Sequence, residues 1–170
     1  MDAKRPHDKG HAALRRGRVS LPNHVYNVTA TTAGRRRHFD DFAAACAASA
    51  CFERSNVLSD ARLLAWVLMP DHCHWLLQLG AHESLDAVVG RLKGTSARAA
   101  NVVLRRTGPI WARSYHDHAL RKEEDVRTLG RYIVTNPLRA GLVDRIGGYP
   151  FWNAVWVAPE GVPAEADLLM

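Results

Sequence analysis

Two apolar runs flank a short polar break in the middle of the chain: Leu63 to Met69, then His72 to Leu79. The first is too short for a free-standing helix and predicts a strand buried on both faces. Pro70 and Asp71 punctuate it, and the second run predicts the next antiparallel strand. Upstream, Leu21-Pro22-Asn23 is a turn into His24–Thr32, whose β-branched residues predict the first strand. A basic loop follows, and then a helix from about Phe39 to Arg54, with Asp40 as its cap and Asp41 at its positive end. Phe39, Phe42, Cys46 and Ala50 are its expected apolar stripe. Ser84 caps a second helix running to Arg106, with Leu85, Val88, Leu92, Ser96, Ala99 and Val103 inward. Gly108 and Pro109 break it, and Trp111–Leu120 predicts a fourth strand. There Arg113, Tyr115 and Asp117 share one face, and His116 and His118 share the other. A third helix opens among Glu123, Glu124 and Asp125, buries Val126, Leu129 and Ile133, and ends before Pro137.

The order strand, helix, strand, strand, helix, strand is the split β-α-β pattern. It predicts an α+β, ferredoxin-like fold: a four-stranded antiparallel sheet with helices on one face and an added C-terminal helix. The other face of such a sheet is open to carry a site or to bind nucleic acid. The aromatic tail, with Tyr149, Phe151, Trp152 and Trp156, is expected to cover the core.

Composition narrows the classes. The chain has 170 residues, 47% of them hydrophobic, which suits one domain with a real core. No apolar run approaches the length of a bilayer span, and the charged N-terminus does not resemble a signal peptide. Three cysteines, Cys46, Cys51 and Cys73, form no C-x-x-C and suit reduced thiols, so a cytoplasmic, nucleoid-associated location is expected. The net charge is +6, and the positive charge is concentrated early. Residues 1–20 are expected to form a flexible basic arm that includes Arg15, Arg16 and Arg18, and Arg35, Arg36 and Arg37 follow. Residues 157–170 are an acidic tail with Glu160, Glu165 and Asp167. This asymmetry points to a polyanion partner, nucleic acid first.

His72 and His74 lie two apart on a predicted strand, so both imidazoles project from one face and Cys73 from the other. An imidazole pair on a rigid strand is a half-site for a divalent metal. Tyr132 and Asn136 lie four apart on the third helix and share a face. If that helix packs across the open sheet face, Tyr132 and Asn136 come up beside the imidazoles. Two ring nitrogens and an amide oxygen then hold Mg²⁺ or Mn²⁺ with positions left for substrate oxygens. A phenol is a poor nucleophile unless a metal or base helps it. Placed there, it suits transesterification of a phosphodiester.

Four motifs carry a resemblance: A-W-V-L-M-P-D-H-C-H-W-L-L, L-K-G-T-S-A-R, Y-H-D-H-A-L-R and R-Y-I-V-T-N-P-L-R-A-G-L-V, in this order between residues 20 and 156. Together they resemble the REP-associated tyrosine transposases, members of the HUH class of single-stranded DNA endonucleases. The resemblance implies a catalytic domain over residues 21–156, with His72 and His74 as the metal pair, Asn136 as third ligand and Tyr132 as nucleophile. Cys73 departs from the usual bulky apolar residue between the histidines. The implied substrate is single-stranded DNA folded into palindromic, REP-like hairpins, and the implied intermediate is a covalent 5′-phosphotyrosine.

Further expectations attach to this reading. Phosphate contacts are assigned to Arg15, Arg16, Arg18, Arg35, Arg36, Lys93, Arg98, Arg113, Arg121 and Arg139. Tyr115 is the competing nucleophile. The assembly is a monomer or a homodimer, with no membrane partner. Two rival functions stand beside this one: a non-catalytic nucleic-acid-binding module on the same fold, and a metal-dependent nuclease that uses water. A covalent protein–DNA adduct separates both from a tyrosine enzyme.

Overall fold

A computed structural model of the chain describes residues 20–121 and 125–157. The basic arm with Arg15, Arg16 and Arg18, the acidic tail, and Glu123 and Glu124 lie outside the described residues. The strands are β1 (Val25–Thr31), β2 (Arg62–Met69), β3 (His72–Gln78), β4 (His116–Ala119) and β5 (Trp152–Ala154). The helices are α1 (Phe42–Ser49), α2 (Ser55–Leu58), α3 (Leu85–Val103), α4 (Val126–Val134) and α5 (Asn136–Arg139). The sheet order is β4-β1-β3-β2-β5, and every pairing is antiparallel.

The first four strands take the ferredoxin-like order. A fifth strand is the correction to the four-stranded expectation. Trp152, Asn153 and Ala154 pair with Val67, Trp66 and Ala65 along the outer edge of β2. An edge strand buried on both faces presents unpaired backbone groups, and the aromatic tail satisfies them. The fourth strand is shorter than Trp111–Leu120. Lys93 Nζ gathers the carbonyl oxygens of Ala112 (2.8 Å) and Arg113 (3.1 Å), which turns that segment away from a ladder. Trp111 keeps only an isolated bridge to Thr32.

Strand alternation sorts side chains into two cores. Val28, Ala30, Leu68, Cys73, Trp75 and Leu77 face α1 and α3 and join Ala44, Ala48, Phe52, Leu85, Val88 and Leu92. Val67, Met69 and Leu76 face the other way and meet Ile133 and Val134 of α4. A register shift between Leu63 and Ala65 sends both Leu64 and Ala65 to this second core. β2 is therefore apolar at every position after Arg62 because helices cover both of its faces.

The predicted stripe of the first helix is wrong beyond Phe39. Phe42, Cys46 and Ala50 are exposed, and Ala44, Ala45 and Ala48 are buried instead. Small side chains let α1 lie close against α3, a contact that hydropathy alone undervalues. Asp41, not Asp40, caps α1 by accepting from the Ala44 N–H at 2.9 Å. Ser84 caps α3 as expected, accepting from the Ala87 N–H, and the buried stripe of α3 ends on Ala100.

Candidate active site

The imidazoles of His72 and His74 stand side by side on β3, their ring centroids 5.0 Å apart and their planes nearly perpendicular. Both rings are held through Nδ1. The Asp71 carboxylate lies 2.7 Å from His72 Nδ1, and the Thr29 hydroxyl lies 2.9 Å from His74 Nδ1. A carboxylate can only accept, so the His72 Nδ1 carries the proton and the ring's lone pair lies on Nε2. The Thr29 hydroxyl can do the same for His74 from the neighbouring strand, where register sets Thr29 opposite it.

Burial pushes His74 down to about 4, helped by the charges of His72, Arg139 and Arg35. Near neutral pH this ring is therefore uncharged, the form that binds a metal. Cys73 projects into the opposite core, fully buried, where burial pushes its thiol well up. It packs as a small apolar residue, away from the imidazoles.

α4 crosses the face of the sheet that carries the imidazoles, packing Ile133 and Val134 against Val67, Met69 and Leu76. Asp125 caps it, accepting from the Arg127 N–H at 2.9 Å. The α-helix stops at Val134, and Pro137 sits in the first turn of α5. Tyr132 is 57% exposed at the outer side of α4. The Arg139 guanidinium stacks 3.7 Å over its ring. The same guanidinium donates to the Tyr132 carbonyl at 2.9 Å and to the Thr135 hydroxyl at 2.8 Å. Asn136 is partly buried, and its Nδ2 donates to the Ile133 carbonyl at 2.8 Å, which leaves the amide oxygen as the group able to take a cation. Arg139 thus braces the Tyr132 ring from the turn that follows α4.

Among the described residues no cluster of three or more His, Cys, Asp and Glu could hold an ion. A third protein ligand would have to come from another side-chain type, as an asparagine amide does. The donor set fits a divalent cation: two oriented imidazoles, one of them held neutral by burial.

Of the expected phosphate contacts, Arg35 is exposed and its Nε pairs with Asp71 at 3.1 Å. Arg36 is exposed on the same loop, beside the β2–β3 turn. Arg113 and Arg121 are exposed around β4. Lys93 is tied to the loop before β4. Arg98 lines a cleft of about 290 Å³ with Cys51, Arg54 and Thr95 in the helical layer. Tyr115 belongs to the core under α1 and α3, with its hydroxyl hydrogen-bonded to Asp86. His116 and His118 lie on the imidazole face of the sheet, opposite Thr29 and Asn27 of β1. Thr29 and Asp71 are the residues that sequence reading missed. Asp71 was legible only as turn punctuation, and Thr29 needed the β1–β3 register.

The family described as "Transposase IS200 like" matches residues 20–136. The chain is 29% identical over 89 residues to the REP-associated tyrosine transposase of Escherichia coli (strain K12), covering 51% of this chain and 50% of that one. It is 28% identical over 98 residues to a candidate REP-associated tyrosine transposase of Haemophilus influenzae, covering 52% and 56%. The chain thus spans about half the length of the curated relatives it matches. Its fold is similar to that of a REP-associated tyrosine transposase solved with a REP hairpin, at a TM-score of 0.63, 22% identity and 79% coverage of both chains. No helix among the described residues is long and apolar enough to cross a membrane.

Proposed function

The chain belongs to the IS200-like transposase family, and from that premise we propose that it nicks and rejoins single-stranded hairpin DNA through a covalent bond to Tyr132. The observation that supports this reading is that α4 lies on the imidazole face of the sheet, with the Arg139 guanidinium stacked over the Tyr132 ring.

His72 and His74, with the Asn136 amide oxygen, would hold Mg²⁺ or Mn²⁺. When bound, such an ion polarises a phosphate oxygen and offsets charge as the phosphorus becomes five-coordinate. The protein's own groups supply the rest. The Tyr132 oxygen loses its proton to solvent and attacks the phosphorus. An O–P bond forms to tyrosine and the bond from phosphorus to the 3′ oxygen breaks. That oxygen takes up a proton and leaves as a 3′-hydroxyl, and the protein keeps a 5′-phosphotyrosine. The phosphoester count is unchanged, so a new 3′-hydroxyl can attack the same phosphorus and release Tyr132. Arg35 pairs with Asp71 beside His72, Arg36 lies on the same loop, Arg139 stacks on Tyr132, and Arg113 and Arg121 sit around β4. A polyanionic strand crossing the sheet face meets positive charge at these points. Arg15, Arg16 and Arg18 on the N-terminal arm would add contacts to the hairpin stem.

The test is Tyr132→Phe with single-stranded hairpin DNA and Mn²⁺, followed by denaturing electrophoresis. The variant should bind the hairpin and form no adduct. An adduct that survives in Tyr132→Phe and disappears in Tyr115→Phe would overturn the assignment. Cleavage without any adduct in the wild-type protein would point to the water-using nuclease.

A further inference from the structure

The loop between β1 and α1 is built in an unusual backbone conformation. Gly34 and Arg35 both have positive φ, +65° and +55°. For glycine this is free, but a residue with a side chain adopts it only when its surroundings hold it there. Thr32 does much of the holding. Its N–H donates to the Asp71 carbonyl at 2.9 Å, and its hydroxyl reaches that carbonyl at 3.1 Å and the Arg36 carbonyl at 2.7 Å. The Arg35 N–H returns to the Thr32 carbonyl at 3.1 Å. The loop is thereby fastened to the β2–β3 turn at Asp71.

The result of that fastening is a chain of three side chains. Arg35 Nε lies 3.1 Å from one Asp71 oxygen, and the other Asp71 oxygen lies 2.7 Å from His72 Nδ1. The Arg35 side chain is largely exposed, whereas Asp71 and His72 are each about four-fifths covered. Without the carboxylate, His72 can place its proton on either nitrogen and can turn its ring. With it, Nε2 is committed to lone-pair donation and aimed away from the turn.

We infer that Asp71 is the positioning residue for His72 as a metal ligand, and that Arg35 acts through Asp71 by fixing the carboxylate's orientation. This rests on the reading of His72 and His74 as the metal pair. It gives Arg35 a role that its placement among phosphate contacts does not supply. The strained backbone brings its guanidinium to the turn while much of the side chain stays exposed. The basic loop and the metal half-site are then one mechanical unit, so a change in the loop reaches the imidazole with no contact to it.

The experiment measures Mn²⁺ binding by electron paramagnetic resonance on the full chain without DNA, and hence without turnover. Asp71→Ala should weaken Mn²⁺ binding about 10- to 100-fold. Asp71→Asn offers one acceptor to two donors and should restore only part of the loss, and more of it once Arg35 is also alanine. Arg35→Ala should weaken binding by a smaller factor, and adding it to Asp71→Ala should cause no further loss, because its route is gone. A merely structural brace would leave Mn²⁺ affinity unchanged in all of these variants. His72→Ala is the reference. If His72→Ala abolishes binding and Asp71→Ala matches wild type, the inference fails and the metal reading stands. If His72→Ala itself binds Mn²⁺ like wild type, the metal reading fails and the inference goes with it.

Discussion

Removing the side chain of Ile133 is expected to release the tyrosine helix while the rest of the sheet stays folded. Ile133 is 1% exposed and lies at the centre of the smaller core, among Val67, Met69, Leu76 and Val134. α4 has nine residues, a length at which an isolated helix is unstable in water, so its order depends on docking. Ile133→Ala forfeits about 2 kcal/mol of transfer free energy at roughly 0.8 kcal/mol per methylene. The cavity left behind raises the total to about 2–5 kcal/mol. A loss of about 3 kcal/mol lowers the ratio of docked to undocked helix by roughly a hundredfold. The main core under α1 and α3 shares none of these contacts. Amide hydrogen exchange should therefore accelerate by about that factor in residues 126–134 and change little in β1 and β3. Covalent adduct with hairpin DNA should fall in parallel, with hairpin binding largely kept. Two results would refute this. Uniform acceleration across sheet and helix would mean that α4 does not open alone. Fast exchange with an unchanged adduct rate would mean that docking of α4 does not matter to chemistry.

Other outcomes follow from particular residues. Because burial holds the folded His74 near 4 while the unfolded group titrates near 6.5, the unfolded chain binds more protons between these values. Stability of the chelator-treated protein should therefore fall as pH drops from about 6.5 to about 4, by up to about 3 kcal/mol, and His74→Gln should flatten that slope in urea titrations. Arg139→Ala should slow adduct formation and lower the salt slope of hairpin binding by about 0.7, the contribution of one phosphate on a single strand; an unchanged slope would leave the guanidinium as a brace for the Tyr132 ring alone. A Cβ at Gly130 would lie 2.5 Å from the Trp156 ring. Gly130→Ala should thus destabilise by about 1–3 kcal/mol against a helix-propensity gain of about 1 kcal/mol. In the Trp156→Ala background the same change should no longer destabilise, as thermal melts would show.

The chain declared its central strands and its helix order because burial on two faces leaves a continuous apolar run, as in Leu63 to Met69. The imidazole pair was legible for a local reason, since side chains two apart on a strand must share a face. The side of the sheet that α4 covers was legible only as a condition, and the core that Ile133 and Val134 share with Val67, Met69 and Leu76 meets it. What stayed hidden depended on contacts distant in sequence. Three residues of β5 carry too little pattern to be told from aromatic packing until β2 is seen to need a partner. The alanine face of α1 was masked by the larger Phe42 and Cys46, whose size outweighed the closeness that Ala44 and Ala48 permit. Thr29 could not be linked to His74 without a register spanning 45 positions.

The division of the molecule into two separate apolar clusters has an evolutionary consequence. The larger cluster, which holds the helices to the sheet, contains neither histidine of the pair and not the helix that bears the phenol. Under the proposed function, mutations that silence cutting can therefore accumulate on one side of the sheet without dismantling the other. A descendant that had lost its scissors could persist as an inert grip on folded single strands, ready to be recruited for tasks that need holding and no severing.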